Sequence, residues 1–274
     1  MVGTCSLSPR DPQEEAGGAR QDFAPDAGGE QAPGNWRPFL SLIVPARDEV
    51  ENLPRLHERI CAALALRKDW ELVLVDDGSV DGTTHAIRAL AALDPRVAAV
   101  FLARNFGQTA ALLAGLGEAR GELVVTLDAD LQNDPLDIPR LVAALGVHDA
   151  VVGFRLRRND SFVRRVSSRL ANAVRNRISG DSIRDTGCSL KVFRTRVLRE
   201  LPRFEGMHRF LPTLVRYRGG SVIELPVAHH PRLAGRSKYG IRNRAWRAFL
   251  DLLAVRWMRG RMLRTEVREV VHAR

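Results

Sequence analysis

The chain predicts an α/β fold, a mainly parallel sheet covered by helices, and three observations carry that expectation. From Pro38 onward, apolar runs of strand length alternate with amphipathic segments of helix length, the pattern of repeated β-α-β units. The loops after the first four runs are polar and mostly acidic, which suits the ligand-binding carboxyl edge of such a sheet. With 45% hydrophobic and 27% charged residues among 274, the chain is too apolar to stay disordered and long enough to bury a core without disulfides.

Strands are expected at Phe39 to Pro45, Glu71 to Val75, Val97 to Leu102, Glu122 to Leu127 and Ala150 to Gly153. Helices are expected between them at Glu51 to Leu66, Gly82 to Ala92, Gln108 to Ala119 and Pro135 to Leu145, the last capped by Asp134. Beyond Gly153 the pattern is less regular. A helix over Asp160 to Ile178 aligns Phe162, Val166, Leu170, Val174 and Ile178. Strands at Gly187 to Phe193 and Val222 to Val227 would extend the sheet, with helical segments near Thr195 to Leu201 and Phe210 to Arg218 and a closing helix from Asn243 to about Arg264. Residues 1–36 hold ten Gly or Pro and no apolar period, and read as a disordered leader.

The formal net charge of +10 hides a polarity: residues 1–36 carry −4, residues 37–150 carry −6 and residues 151–274 carry +20. The last part should attract an anion, whether nucleic acid, an anionic membrane surface or a phosphorylated substrate. Nearly all of the positive charge is arginine, since Lys68, Lys191 and Lys238 are the only lysines. Cys5, Cys61 and Cys188 are odd in number and far apart, which argues against a disulfide framework or a zinc site and for a reducing compartment. No secretory signal is visible, and no apolar run approaches the roughly 18 residues of a membrane helix. A soluble chain, or one bound to a surface from one side, is expected.

The sharpest motif is Leu127-Asp128-Ala129-Asp130-Leu131-Gln132. In an extended segment residues two apart share a face, so Asp128, Asp130 and Gln132 are expected to present three oxygen-bearing side chains together. Such a set suits Mg²⁺ or Mn²⁺ shared with substrate phosphates. A calcium loop is excluded, because its sixth position would be Asn133 instead of Gly and its twelfth Pro139 instead of Glu. No phosphate-loop glycine motif is present. Asp76-Asp77-Gly78-Ser79, ending the second strand, is placed to accept hydrogen bonds from a nucleotide base or ribose.

These residues resemble a known family. Ser41-Leu42-Ile43-Val44-Pro45 with Glu49, then Val75-Asp76-Asp77-Gly78-Ser79, Arg104-Asn105-Phe106-Gly107 and Asp128-Ala129-Asp130-Leu131-Gln132 are similar, in order and spacing, to the inverting family 2 glycosyltransferases of the GT-A fold. Gly153-Phe154-Arg155, Arg164 with Ser168, Asp185-Thr186-Gly187-Cys188-Ser189-Leu190-Lys191 and Arg232-Leu233-Ala234-Gly235-Arg236-Ser237-Lys238 resemble the polyprenyl-phosphate branch. The resemblance implies a nucleotide diphosphate sugar as donor and a polyprenyl phosphate as acceptor. It implies that Pro45, Glu49, Asp76, Asp77, Asp128 and Arg236 bind the donor, and that Asp128, Asp130 and Gln132 hold Mg²⁺ or Mn²⁺. Arg155, Arg164 and Ser168 would hold the acceptor phosphate, and Arg232 and Lys238, with the two aspartates, would act at the departing diphosphate. The implied division is a glycosyltransferase domain over 37–240, with donor and metal groups in 37–153 and acceptor groups in 154–240.

Residues 241–274 are expected to form a basic amphipathic helix. Trp246, Phe249, Leu250, Leu253 and Trp257 share one face, ringed by Arg242, Arg247, Arg256, Arg259, Arg261 and Arg264, which suits an anionic membrane interface. Many relatives continue into membrane helices here, so a peripheral chain on the inner face of the plasma membrane, with a separate membrane partner, is expected. Two other classes fit less well. A nucleic-acid binder would leave the acidic strand ends without purpose and has few aromatics, 6% overall, for stacking. A nucleotidyltransferase or pyrophosphorylase would carry a Gly-rich basic loop where Pro45-Ala46-Arg47-Asp48-Glu49 stands.

Overall fold

The computed structural model describes residues 37–155, 175–231 and 241–261. The leader, most of the expected Asp160 to Ile178 helix, and the segment from Arg232 to Gly240 lie outside them; residues 175–179 are helical.

The elements run β1 (Leu40–Ala46), α1 (Leu53–Ala63), β2 (Trp70–Asp76), α2 (Thr83–Leu93), β3 (Val97–Phe101), α3 (Gln108–Glu118), β4 (Leu123–Thr126), α4 (Ile138–Leu145) and β5 (Ala150–Arg155). They continue with β6 (Lys191–Arg194), α5 (Thr195–Arg199), α6 (Leu211–Tyr217), β7 (Val222–Val227) and α7 (Ile241–Arg259). The sheet order is β3-β2-β1-β4-β6-β5-β7, parallel except for β6, which runs against both β4 and β5. The order reverses at β1, flanked by β2 and β4, so the loops after β1 and β4 diverge there and leave the crevice in which open α/β sheets bind ligands.

Alternation along the strands divides the core into two layers. Leu40, Leu42 and Val44 of β1 face Leu53, Leu56 and Ile60 of α1 and Ile138 and Leu141 of α4. Ile43, Val124 and Phe193 face the other way, against Leu112 and Leu116 of α3, Leu211 and Leu214 of α6, and Leu252 and Val255 of α7. Glu71, an acid buried in β2, is satisfied by the Ser41 hydroxyl at 2.6 Å and by the backbone and guanidinium of Arg120. Asp134 caps the chain entering α4, accepting from the Leu136 N–H at 3.1 Å, as expected. The expected single helix from Pro135 opens instead as a 3₁₀ turn, Pro135–Asp137.

On the far side of α1, His57, Cys61 and Asp94 converge. The Arg96 guanidinium donates to both Asp94 oxygens, at 2.9 and 2.8 Å, and its Nη2 lies 3.7 Å from Cys61 Sγ. A resident cation therefore fills the place a metal would take. Arg96 first, then His57, hold the Asp94 carboxyl well below the usual carboxylate range despite its burial. A folded-state pKa lowered in this way contributes stability above the unfolded value and loses it as pH falls toward the folded one. Asp94→Asn is therefore expected to be clearly less stable than the parent at pH 7. The gap should narrow as the pH drops below about 4, which urea midpoints at pH 7 and pH 3 measure.

Candidate active site

The loops at the carboxyl ends of β1, β2 and β3 are knitted together by their own acids. The Asp48 N–H donates to Ser79 Oγ at 2.9 Å, and Asp48 Oδ1 accepts from the Val80 N–H at 2.8 Å. The Glu49 N–H donates to Thr83 Oγ1, and Glu49 Oε2 accepts from Asn52 Nδ2. Asp76, 3% exposed, accepts from the Ser79 N–H and from the Thr84 hydroxyl. Asp77 accepts from the backbone N–H groups of Phe106 at 2.7 Å and Gly107 at 2.9 Å. The four groups expected to bind the donor directly from this side, Pro45, Glu49, Asp76 and Asp77, thus lie at one edge. Asp76 and Asp77 act there as braces that shape the loops.

The segment after β4 departs from the expected geometry. β4 ends at Thr126, and Leu131 is left-handed at φ 58°, so residues 128–132 form a turn and the alternation of an extended strand does not apply. Ala129, Asp130 and Leu131 are buried, whereas Asp128 and Gln132 are half-buried. The apolar Leu131 side chain drives the turn by entering the core below the edge, at 3% exposure. Asp128 accepts from Gln108 Nε2 at 2.8 Å, and Asp130 accepts from the Gln132 N–H at 3.2 Å.

Neighbours that the motif did not reveal hold this turn. Ser189 receives the Asp128 N–H at 3.2 Å and Asn133 Nδ2 at 2.7 Å on its Oγ, while its carbonyl takes the Thr126 hydroxyl at 2.6 Å. These ties explain why β6 begins at Lys191 and not at Gly187: Ser189 is held by the turn, and the Gly187 N–H donates to Asp185 instead of to a ladder partner. From the other side the His230 N–H donates to the Gln132 carbonyl at 2.8 Å, and Asn133 bridges His229. His229 Nδ1 is buried and has no hydrogen-bond partner among the described residues. Burial first, then the charge of Arg155, lowers the pKa of His229, while Gln132 and Asp130 act against that shift. The adjacent pair His229-His230, directly before the basic loop, was the available sequence signal.

Arg155, at the end of β5, is engaged by Asp185: Nε to Oδ2 is 2.7 Å and Nη2 to Oδ1 is 2.9 Å, with both side chains largely buried. Gly153 of the same strand admits the close approach of β6 and β7, since a Cβ there would meet the Leu190 carbonyl and Val227 at 2.9 Å. Arg164, Ser168, Arg232, Arg236 and Lys238 lie outside the described residues. Between the Asp128 turn and the start of β6 is a cavity of 140 Å³ whose wall includes Pro45, Asp128, Lys191, His208, Arg209 and Leu211.

An acidic edge at the switch point of this sheet, closed by a reversed strand, defines a class. Residues 41–202 match the family model for Glycosyl transferase family 2, and the chain belongs to that family. Among curated proteins it is 44% identical over 223 residues to a dodecaprenyl-phosphate galacturonate synthase of Rhizobium johnstonii, covering 79% of this chain and 66% of the relative. It is 43% identical over 207 residues to an undecaprenyl-phosphate 4-deoxy-4-formamido-L-arabinose transferase of Edwardsiella ictaluri, covering 74% and 63%. The chain thus spans just under two thirds of the length of these relatives. The architecture is the GT-A fold of two solved structures. One is the glucosyl-3-phosphoglycerate synthase of Mycobacterium tuberculosis in complex with phosphoglyceric acid, with TM-score 0.57, 22% identity, and 81% of this chain and 80% of that one covered. The other is a mannosyltransferase of Pyrobaculum calidifontis in complex with GDP-Man and Mn²⁺, with TM-score 0.58, 24% identity, and 82% and 65% covered.

Proposed function

We propose that the chain is an inverting glycosyltransferase that moves a sugar from a nucleotide diphosphate sugar to a polyprenyl phosphate at an anionic membrane surface. The observation that carries this reading is the turn after β4, where the carboxylates of Asp128 and Asp130 stand at the switch point beside a cationic cavity. The acceptor class follows from two relatives above 40% identity that are both named for a polyprenyl phosphate.

The residues fit a divalent ion. Asp130 is a buried carboxylate, and Asp128 and Gln132 add oxygens of the hard type that Mg²⁺ and Mn²⁺ take. Bound there, Mg²⁺ or Mn²⁺ would supply charge neutralisation for a diphosphate. The braced loops after β1, β2 and β3 orient the nucleotide through Pro45, Glu49, Asp76 and Asp77. An acceptor phosphate needs no strong base, because its second ionisation lies near pH 6, about the value of phosphoserine. Alignment and charge are then the main contributions of the protein. Arg155, Arg164 and Ser168 are assigned to the acceptor phosphate, and Arg232, Arg236 and Lys238 to the diphosphate as it leaves.

Helix α7 supports the membrane contact. Leu252 and Val255 are buried against the body, while Phe249, Leu250, Leu253 and Trp257 are 40–62% exposed. Arg256 donates to the Ile178 carbonyl at 2.8 Å, and the Arg261 guanidinium lies 4.9 Å from the centroid of the Trp257 ring. An apolar stripe flanked by arginines suits an anionic interface. No helix among the described residues is long and apolar enough to cross a membrane.

The test is purified chain with undecaprenyl phosphate, Mg²⁺ or Mn²⁺, and a panel of labelled UDP- and GDP-sugars. Label is expected in the lipid, with the anomeric configuration inverted. Retained configuration would overturn the single displacement, and no lipid labelling with any donor would overturn the acceptor class.

A further inference from the structure

Lys191 opens β6, where it is paired with Thr126 two residues before Asp128. It is 4% exposed and forms part of the wall of the 140 Å³ cavity. Among the described residues its ammonium has neither an ion-pair partner nor a hydrogen-bond acceptor. The acids whose fields reach it are Asp128 and Asp185, and each has a donor of its own, Gln108 and Arg155 respectively. Burial pushes the lysine below its usual pKa. An unpaired ammonium is among the least favourable groups for a fold to bury, and a counter-charge from outside removes that penalty.

The choice of residue points the same way. The chain uses arginine for nearly all its positive charge, and lysine at only three positions. A guanidinium brings five donors that need partners, whereas an ammonium is a compact point charge that a single phosphate oxygen can satisfy. The walls of the cavity fit one end of an amphiphile: Leu112, Leu127, Leu211 and Pro45 are apolar, while Lys191 and Arg209 are cationic. Its walls come from the first turns of α3, the end of β4 and its turn, residues 186–191 and residues 208–211.

We infer that Lys191 is an anion seat, its ammonium holding the phosphate of the acceptor between Asp128 and the Arg155–Asp185 pair. This rests on the function proposed above. In the transfer, an acceptor phosphate oxygen forms the new bond to the anomeric carbon. The bond from that carbon to the diphosphate breaks, its electron pair leaves on the nucleoside diphosphate, and no proton need move. Lys191 neutralises the attacking group and fixes its line of approach.

The experiment compares the parent, Lys191→Met and Lys191→Arg in calorimetric binding of farnesyl phosphate and of farnesol, with UDP or GDP and Mn²⁺ present. The parent should prefer the phosphate over the alcohol. Lys191→Met should lose that preference at least on the order of tenfold, and its transfer to undecaprenyl phosphate should fall by about 10²-fold or more. Lys191→Arg should keep part of both. Nucleotide affinity should stay within about twofold, and the melting temperature of Lys191→Met should match or exceed the parent's, because a buried charge has been removed. Equal preference in parent and Lys191→Met would overturn the inference, as would losses that track a lower melting temperature and weaker nucleotide binding. A parent that prefers farnesyl phosphate but transfers no sugar would count against the proposed function and leave the seat standing.

Discussion

Asp130→Ala is expected to lower metal-dependent sugar transfer by a factor on the order of 10³ while the chain stays folded. Asp130 is the buried carboxylate of the turn after β4, 6% exposed, and its charge reaches His229. Asp130 accepts from the Gln132 N–H at 3.2 Å. The turn is held by Leu131 in the core and by Ser189 against Asp128 and Asn133. Transfer assays across a Mn²⁺ titration, with retention on anionic vesicles as the control, measure the effect. Full activity in this variant would refute the assignment of the site, and loss of vesicle binding in parallel would indicate a folding defect.

Gly78→Ala should be the most damaging single-methyl change at the donor edge. Gly78 has φ 67°, in the left-handed region, and a Cβ there would lie 2.5 Å from the backbone carbon of Arg104 and the backbone nitrogen of Asn105. Neither backbone atom can swing aside as a side chain would. Moving that loop also moves Phe106 and Gly107, whose N–H groups bind Asp77. A stability loss of about 3 kcal/mol and a nucleotide affinity about tenfold weaker are expected. Urea midpoints and calorimetry with UDP and GDP measure them. A variant with parental stability would show that the two loops are less tightly joined than the close approach implies.

The parallel layers of the fold were legible because their strands carry continuous apolar runs, and boundaries from β1 to β5 fall within about two residues of expectation. The acidic loops were legible as an edge for the same reason, since strand ends fix where they emerge. Their roles were less so. Asp76 and Asp77, expected to bind the donor, also take loop N–H groups and a threonine hydroxyl on their oxygens, pairings with residues up to 30 positions away that local sequence does not show. The extended reading of Asp128 to Gln132 failed because local alternation gives no warning of a left-handed leucine. His229, Ser189 and Lys191 reach the site only through the reversed strand and the return from β7, which no periodicity in the chain announces.

The reversed strand has a further consequence, for the order in which the molecule can be assembled. β5 does not pair with β4; it is joined to the rest of the sheet through β6, and β7 adds to its outer side. The first four strands can pair as soon as they leave the ribosome, but the free edge of β4 has no neighbour until residues 191–194 arrive, 65 positions after Thr126. At roughly 5–20 residues per second, an unpaired, apolar strand edge stands open for several seconds of synthesis. Such an edge is a template for pairing with another chain. The strand that completes this edge of the sheet is therefore also the one that ends an interval in which the nascent chain is open to pairing with another chain.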